Sequence, residues 1–337
     1  MLQTRIAALA QQNQDKNSVL NHALIFSFLS DLAYRSLDII KWRLGVEEED
    51  VQQGRFIYFD DGRRTQGFII QETEEDIKHV IIVFRGTEYN RPRDLIDDWL
   101  GNFKTKLVPF TPVESNDAKK DSFGKVHEGF LEGIVSVWDD SLLKNFKKTE
   151  DQSKIKLWFT GHSLGAALAT LAAAKWVQAM PKHIDSVQGV YTFGSPRCGD
   201  EVFAKFYSDR LEEKTFRFVN HRDLVPDVPS TMTYYHWKDD YKHVGCLWYI
   251  DEDKVINPNY SQSEGPLGWI GRWVPSIWNS KSHRLELDLR TLDHDHRRYF
   301  DYIKQGINSD SNNSFHKAIF EFKGHHDSDA NKLCAVM

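Results

Sequence analysis

Residues 161–165 read Gly161-His162-Ser163-Leu164-Gly165, directly after the apolar run Ile155-Lys156-Leu157-Trp158-Phe159 and directly before the alanine-rich run Ala166–Ala174. A G-x-S-x-G placed between a strand and a helix serves one chemistry, nucleophilic attack by the serine hydroxyl. The sharp turn holds the serine in a strained backbone conformation and presents its hydroxyl above the sheet. Small residues two before and two after the serine are needed because strand and helix approach closely there. The pentapeptide alone is a weak signal, and an inert serine in a glycine-rich turn is the competing reading. The strand before it and the helix after it make the signal strong.

A serine hydroxyl is a poor nucleophile until a histidine takes its proton, and that histidine needs a carboxylate to orient it. On strand–turn–helix scaffolds of this kind the chain order is serine, acid, histidine. The acid is expected just after a later strand. Phe216–Val219 reads as such a strand, and Asp223 is the first carboxylate after it, with Asp227 as competitor. The histidine is expected in a late loop, where Asp293-His294-Asp295-His296 opens a helix. His296 is the expected base and His294 the second choice. The developing oxyanion needs two backbone N–H donors. One is expected from Leu164, next to the nucleophile. The other is expected from Thr87 in Phe84-Arg85-Gly86-Thr87, at the end of an earlier strand.

The surrounding elements must hold these groups together. Strand signals fall at Arg55–Phe59, Gly67–Gln71, His79–Phe84 and Val187–Phe193, with a hairpin turn at Asp60-Asp61-Gly62. Helical spacing marks 17–44, Phe130–Phe146 and the neighbourhood of Glu201–Leu211. Alternation of strand and helix implies an α/β fold, a mainly parallel central sheet with helices on both faces. The 337 residues divide into an N-terminal helical segment (1–50), a catalytic domain (51–305) and a tail (306–337). With 40% hydrophobic residues the chain can bury a sizeable core, and a net charge of −6 gives no electrostatic case for nucleic acid. Three cysteines, Cys198, Cys246 and Cys334, do not suggest a disulfide framework. The N-terminus lacks the sustained apolar stretch of a signal peptide, and no run approaches the length of a membrane span.

In this order the motifs resemble those of the fungal-type class 3 lipases, an α/β-hydrolase family. They are Phe84-Arg85-Gly86-Thr87, Asp98-Trp99, Val126-His127-Glu128-Gly129-Phe130, the serine pentapeptide, Phe193-Gly194-Ser195-Pro196-Arg197, Asn220–Pro229, Tyr241-Lys242-His243-Val244-Gly245 and His296-x-x-Tyr299. The resemblance covers roughly residues 55–300 and carries the nucleophile onto Ser163, the acid onto Asp223 and the base onto His296. It also carries the oxyanion hole onto Thr87 and Leu164, and leaves His127 and His243 as packed structural histidines. Leu224 and Asp227 depart from the proline and arginine usual in the family's loop. The resemblance implies hydrolysis of fatty-acyl esters of triacylglycerol or phospholipid, without metal or cofactor. An acyltransferase using the same serine and a catalytically silent lipid-binding relative are the alternatives.

The resemblance also places a lid over 88–106, with Leu95, Ile96 and Trp99 on its apolar stripe. An insertion at 257–282 contains Trp269, Trp273 and Trp278, which suit a membrane interface, the lining of an acyl pocket, a second lid or an insertion packed on the core. The residues Cys334-Ala335-Val336-Met337 form a C-a-a-X sequence, for which farnesylation of Cys334 is expected. Together these suggest a cytoplasmic protein touching membranes peripherally, in a eukaryotic cell or delivered into one by a bacterium.

Overall fold

The computed structural model describes residues 16–63, 65–87, 106–111, 123–143, 154–221, 223–229, 241–258 and 293–308. The expectations for Leu95, Ile96, Trp99, Trp269, Trp273 and Cys334 lie outside these residues.

Eight strands form the central sheet: β1 (Phe56–Asp60), β2 (Gln66–Glu74), β3 (Ile77–Phe84), β6 (Ile155–His162), β7 (Val187–Phe193), β8 (Thr215–Asn220), β9 (Cys246–Ile250) and β10 (Ile256–Pro258). They lie side by side in that order. The five strands from β3 to β9 run parallel, while β1, β2 and β10 add antiparallel edges. A separate short hairpin pairs β4 (Leu107–Pro109) with β5 (Lys125–His127). The parallel strands are apolar runs buried on both faces, as a sheet covered by helices requires.

Alternation along β3 divides the core. Val80, Ile82 and Phe84 face a layer built by α4 (Glu128–Val137) and α5 (Leu164–Ala179). Ile81 and Val83 face a layer built by α1 (Lys16–Leu32) and α7 (His296–Asn308). The remaining helices are α2 (Leu37–Leu44), α3 (Glu48–Gln52) and α6 (Glu201–Leu211). The alanines of α5 are buried along nearly its whole length, which lets that helix lie close on the sheet.

The register sets the site. Phe84 pairs with Gly161, His162 with Phe193, and Phe193 with Phe218. The carboxyl ends of β3, β6, β7 and β8 therefore stand in a row, the edge at which open parallel sheets place their ligands.

Two expectations change here. The stretch 17–44 is two helices, broken by turns at Ala33–Ser36 with Ser36 in an extended conformation (φ −60°, ψ 154°). Helix α2 then ends at Gly45 in the left-handed region (φ 65°), with the Val46 N–H returned to the Lys41 carbonyl. The segment Phe130–Phe146 is α4 followed by a π-helical turn over Trp138–Leu143, with 144–146 outside the described residues.

Helix α1 is buried nearly all round. Phe26 is fully buried and stacked on Tyr191, with centroids 4.7 Å apart. His22 Nδ1 meets the Tyr191 hydroxyl at 3.0 Å, and Ser30 meets Thr160 at 3.1 Å. This helix belongs to the core. Phe26→Ala is expected to cost about 3–5 kcal/mol, read as a shift in urea unfolding.

Candidate active site

The serine sits where β6 turns into α5. Ser163 has φ 58° and ψ −127°, a positive φ that a non-glycine residue adopts only when its surroundings impose it. The imposition is visible. A Cβ on Gly161 would lie 2.3 Å from the Gly165 carbonyl, and one on Gly165 would lie 2.3 Å from the Phe84 oxygen. Strand and helix thus meet backbone to backbone. The Ser163 N–H donates to the Phe193 carbonyl at 3.0 Å, and its own carbonyl accepts from Ala166 at 3.0 Å. Ser163 is 1% exposed, and its Oγ has no hydrogen-bond partner among the described residues.

Thr87 and Leu164 are brought together at this turn. Leu164 is the first residue of α5. Thr87 follows Gly86, where a Cβ would collide with the His162 carbonyl oxygen at 2.6 Å. The turn after β3 therefore packs directly on the serine turn.

Asp223 follows β8. Its N–H donates to the Asn220 carbonyl at 2.8 Å, which folds the chain back. Its side chain is fully buried, and a buried carboxylate must be compensated. Three donors converge on it. Val225 N–H reaches Oδ1 at 2.9 Å, the Tyr299 hydroxyl reaches Oδ2 at 2.5 Å, and His294 Nδ1 lies 3.0 and 2.9 Å from the two oxygens. Burial first, and then the Asp223 charge, holds the Tyr299 hydroxyl well above its usual pKa, so it stays protonated and donates. That hydroxyl also accepts the Asn220 N–H at 3.0 Å.

The structure places His294, the second choice, on Asp223, and not His296, the expected base. His296 Nδ1 is taken by Asp31 at 2.5 Å, and its ring lies on Tyr34 with centroids 4.2 Å apart and planes 13° apart. The two histidines open the same helix two residues apart, and a partner on a distant element decides between them. Of the two candidate acids, Asp223 is the one that faces His294, while the Asp227 backbone carbonyl accepts a hydrogen bond from the Arg197 guanidinium.

A carboxylate only accepts, so His294 carries its proton on Nδ1 and leaves Nε2 with a lone pair. Among the described residues Nε2 is buried without a hydrogen-bond partner, as is Ser163 Oγ. Gly194, directly after β7, lies against both Asp223 and His294. It has φ +58°, its N–H donates to the Phe218 carbonyl at 3.0 Å, and a Cβ there would lie 2.8 Å from Asp223 Oδ2 and 2.9 Å from His294 Nδ1. His162 lies beside His294, with centroids 4.5 Å apart. Burial, and then the neighbouring His294 and His296, push its pKa well down, so it stays neutral. A neutral ring there adds no charge against a protonated His294.

Sequence reasoning missed three supports: Tyr299 on the acid, and Asp31 and Tyr34 on the histidine segment. Tyr299 had a signal, its place in His296-x-x-Tyr299. Asp31 and Tyr34 had none, because the spacing of 17–44 reads only as a packing face. His127 and His243 are packed residues in the structure. His127 lies on Phe130 with centroids 4.1 Å apart, and His243 Nε2 meets the Pro226 carbonyl at 2.7 Å.

The mainly parallel sheet with helices on both faces and the strained serine turn at a strand end are those of an α/β-hydrolase fold. Residues 81–233 match the family described as Lipase (class 3). Among solved structures it is similar to the triacylglyceride lipase of Rhizomucor miehei (TM-score 0.55, 22% identity, 83% of this chain and 94% of that one). It is also similar to lipase II from Rhizopus niveus (TM-score 0.53, 23% identity, 70% and 82%). Among curated proteins it is 28% identical over 275 residues to triacylglycerol lipase OBL1 of Ricinus communis, covering 65% of this chain and 48% of that protein. It is 32% identical over 165 residues to a Rhizopus niveus lipase, covering 49% and 38%. The chain thus spans about half, or less, of these two curated relatives.

Gly194→Ala is expected to push Asp223 and His294 apart, seen as loss of the downfield His294 Nδ1 proton resonance. Burial also holds His127 down to about 4 from 6.5, and His162 and His243 well below 6.5. These rings are neutral in the fold, while the unfolded chain protonates them near 6.5. Stability is therefore present above 6.5 and lost as pH falls toward 4, by up to about 1.4 kcal/mol per pH unit for each histidine. Urea midpoints between pH 8 and 5 should fall accordingly, and less steeply in His127→Gln.

Proposed function

We propose that this chain is a serine hydrolase that cleaves fatty-acyl esters of glycerolipids, with Ser163 as nucleophile, His294 as base and Asp223 as the acid that orients it. The observation that carries the reading is the buried Asp223–His294 pair beside a strained turn whose serine Oγ has no other partner among the described residues. The match of residues 81–233 to the class 3 lipases and the similarity to acylglycerol lipases support the substrate class.

In the proposed cycle Ser163 Oγ attacks the ester carbonyl while His294 Nε2 takes its proton. Asp223 keeps the ring in the Nδ1–H tautomer and stabilises the imidazolium. Negative charge develops on the carbonyl oxygen, and the backbone N–H groups of Thr87 and Leu164 are the donors proposed for it. Collapse of the intermediate expels the alcohol, which takes the proton from His294. Water, activated by the same histidine, then attacks the acyl-serine and releases the fatty acid. His162 stays neutral throughout and takes no proton.

Ser163 is almost fully buried, so an acylglycerol reaches it only after the site opens. Triacylglycerol and the sn-1 ester of a phospholipid share the same carbonyl chemistry, and product analysis separates them. A fluorophosphonate probe should label the wild type and not Ser163→Ala. On a panel of triacylglycerol, diacylglycerol and phospholipid read by product mass, His294→Ala should lose activity by about 10⁴-fold or more. His296→Ala should lose far less. Equal labelling of wild type and Ser163→Ala, or an active His294→Ala beside a dead His296→Ala, would sink the proposal.

A further inference from the structure

Helix α1 ends beside the catalytic segments, and one side chain just past its end touches three of them. The Tyr34 hydroxyl lies 2.8 Å from Nδ1 of His162, the residue before the nucleophile. The same hydroxyl fills the space that a Cβ on Gly86 would need, at 2.0 Å, one residue before Thr87. The Tyr34 ring lies flat on His296, two residues after His294, and Asp31 holds the edge of that His296 ring. Asp31 and His296 are about one-fifth exposed, enough shelter for the bond to be more than a surface pair.

The histidine segment needs such a hold. It is a short turn entering α7, anchored on both sides of His294. Asn220 Nδ2 donates to the Asp293 carbonyl at 2.8 Å, and Arg298 pairs with the Asp293 carboxylate at 2.9 Å. Both grip the chain before His294. The Asp31–His296 bond and the Tyr34 stack grip it after. The His294 ring itself rests near His162, which Tyr34 holds from the other edge.

We infer that Tyr34, together with the Asp31–His296 pair, forms a positioning bracket for the ester hydrolysis. It fixes the His294 segment and the turn bearing Thr87 against the nucleophile turn. The inference rests on the triad proposed above. None of the three residues touches the reacting atoms, so each acts through another. Displacing a catalytic group by a fraction of an ångström slows the chemical step and leaves ground-state binding of a small ester nearly untouched. The signature of the bracket is therefore a fall in kcat at constant KM.

The test uses the full chain and a water-soluble p-nitrophenyl butyrate, with folded protein counted by circular dichroism. Tyr34→Phe keeps the ring stack and removes only the hydroxyl, and Asp31→Ala removes the acceptor for His296. Each is expected to lower kcat per folded molecule by about tenfold, with KM changed less than about twofold. Asp31→Asn, whose amide oxygen still accepts the Nδ1–H, is expected to restore most of the loss. Wild-type kcat in both Tyr34→Phe and Asp31→Ala overturns the inference, as does an Asp31→Asn no better than Asp31→Ala, or a change confined to KM. His294→Ala separates the two levels. If it is inactive while the bracket variants are normal, only the bracket fails; if it is active, the triad itself fails and takes the bracket with it.

Discussion

The lack of room around the serine turn governs the site. Gly161 and Gly165 bring β6, α5 and the end of β3 within backbone contact, and Ser163 accepts a positive φ as the consequence. A strained residue persists only where its surroundings over-determine it. Here the surroundings are the buried alanines of α5, the parallel pairing of β3 and β6, and the hydrogen bond from Ser163 to Phe193. The elements that carry the proposed catalytic groups are thus also the ones that hold Ser163 in its conformation.

Electrostatics adds a second layer. The Asp223 carboxylate is wholly buried, and its charge is tolerable because a backbone N–H, a tyrosine hydroxyl and an imidazole all donate to it. The same donors fix its orientation. Burial keeps His162 neutral, so the protonated state of His294 that the cycle requires faces no like charge from that ring. One low-dielectric environment serves both ends.

Much of this was legible in the chain, for identifiable reasons. The pentapeptide at Ser163 is a local signal, because the crowding that demands its glycines comes largely from residues adjacent in sequence. Asp223 could be found by position, as the first carboxylate beyond a strand. The histidine could not. His294 and His296 lie two residues apart in the same late segment, and the pairing of His296 with Asp31, on a helix at the other end of the described chain, has no sequence signal. Tyr34 was illegible for the same reason. Its role arises from where α1 stops, and the periodicity of 17–44 ran through that break.

The pairing of Asp31 with His296 joins residues 265 positions apart. During synthesis from the amino end, helix α1 is made early and waits for its counterpart. Ser163 and Asp223 follow, yet the proposed triad lacks its histidine until the segment at His294 has left the ribosome. The growing chain therefore carries an incomplete set of the proposed catalytic groups for most of its synthesis. A shortened product ending before that segment would lack the histidine that completes the proposed triad.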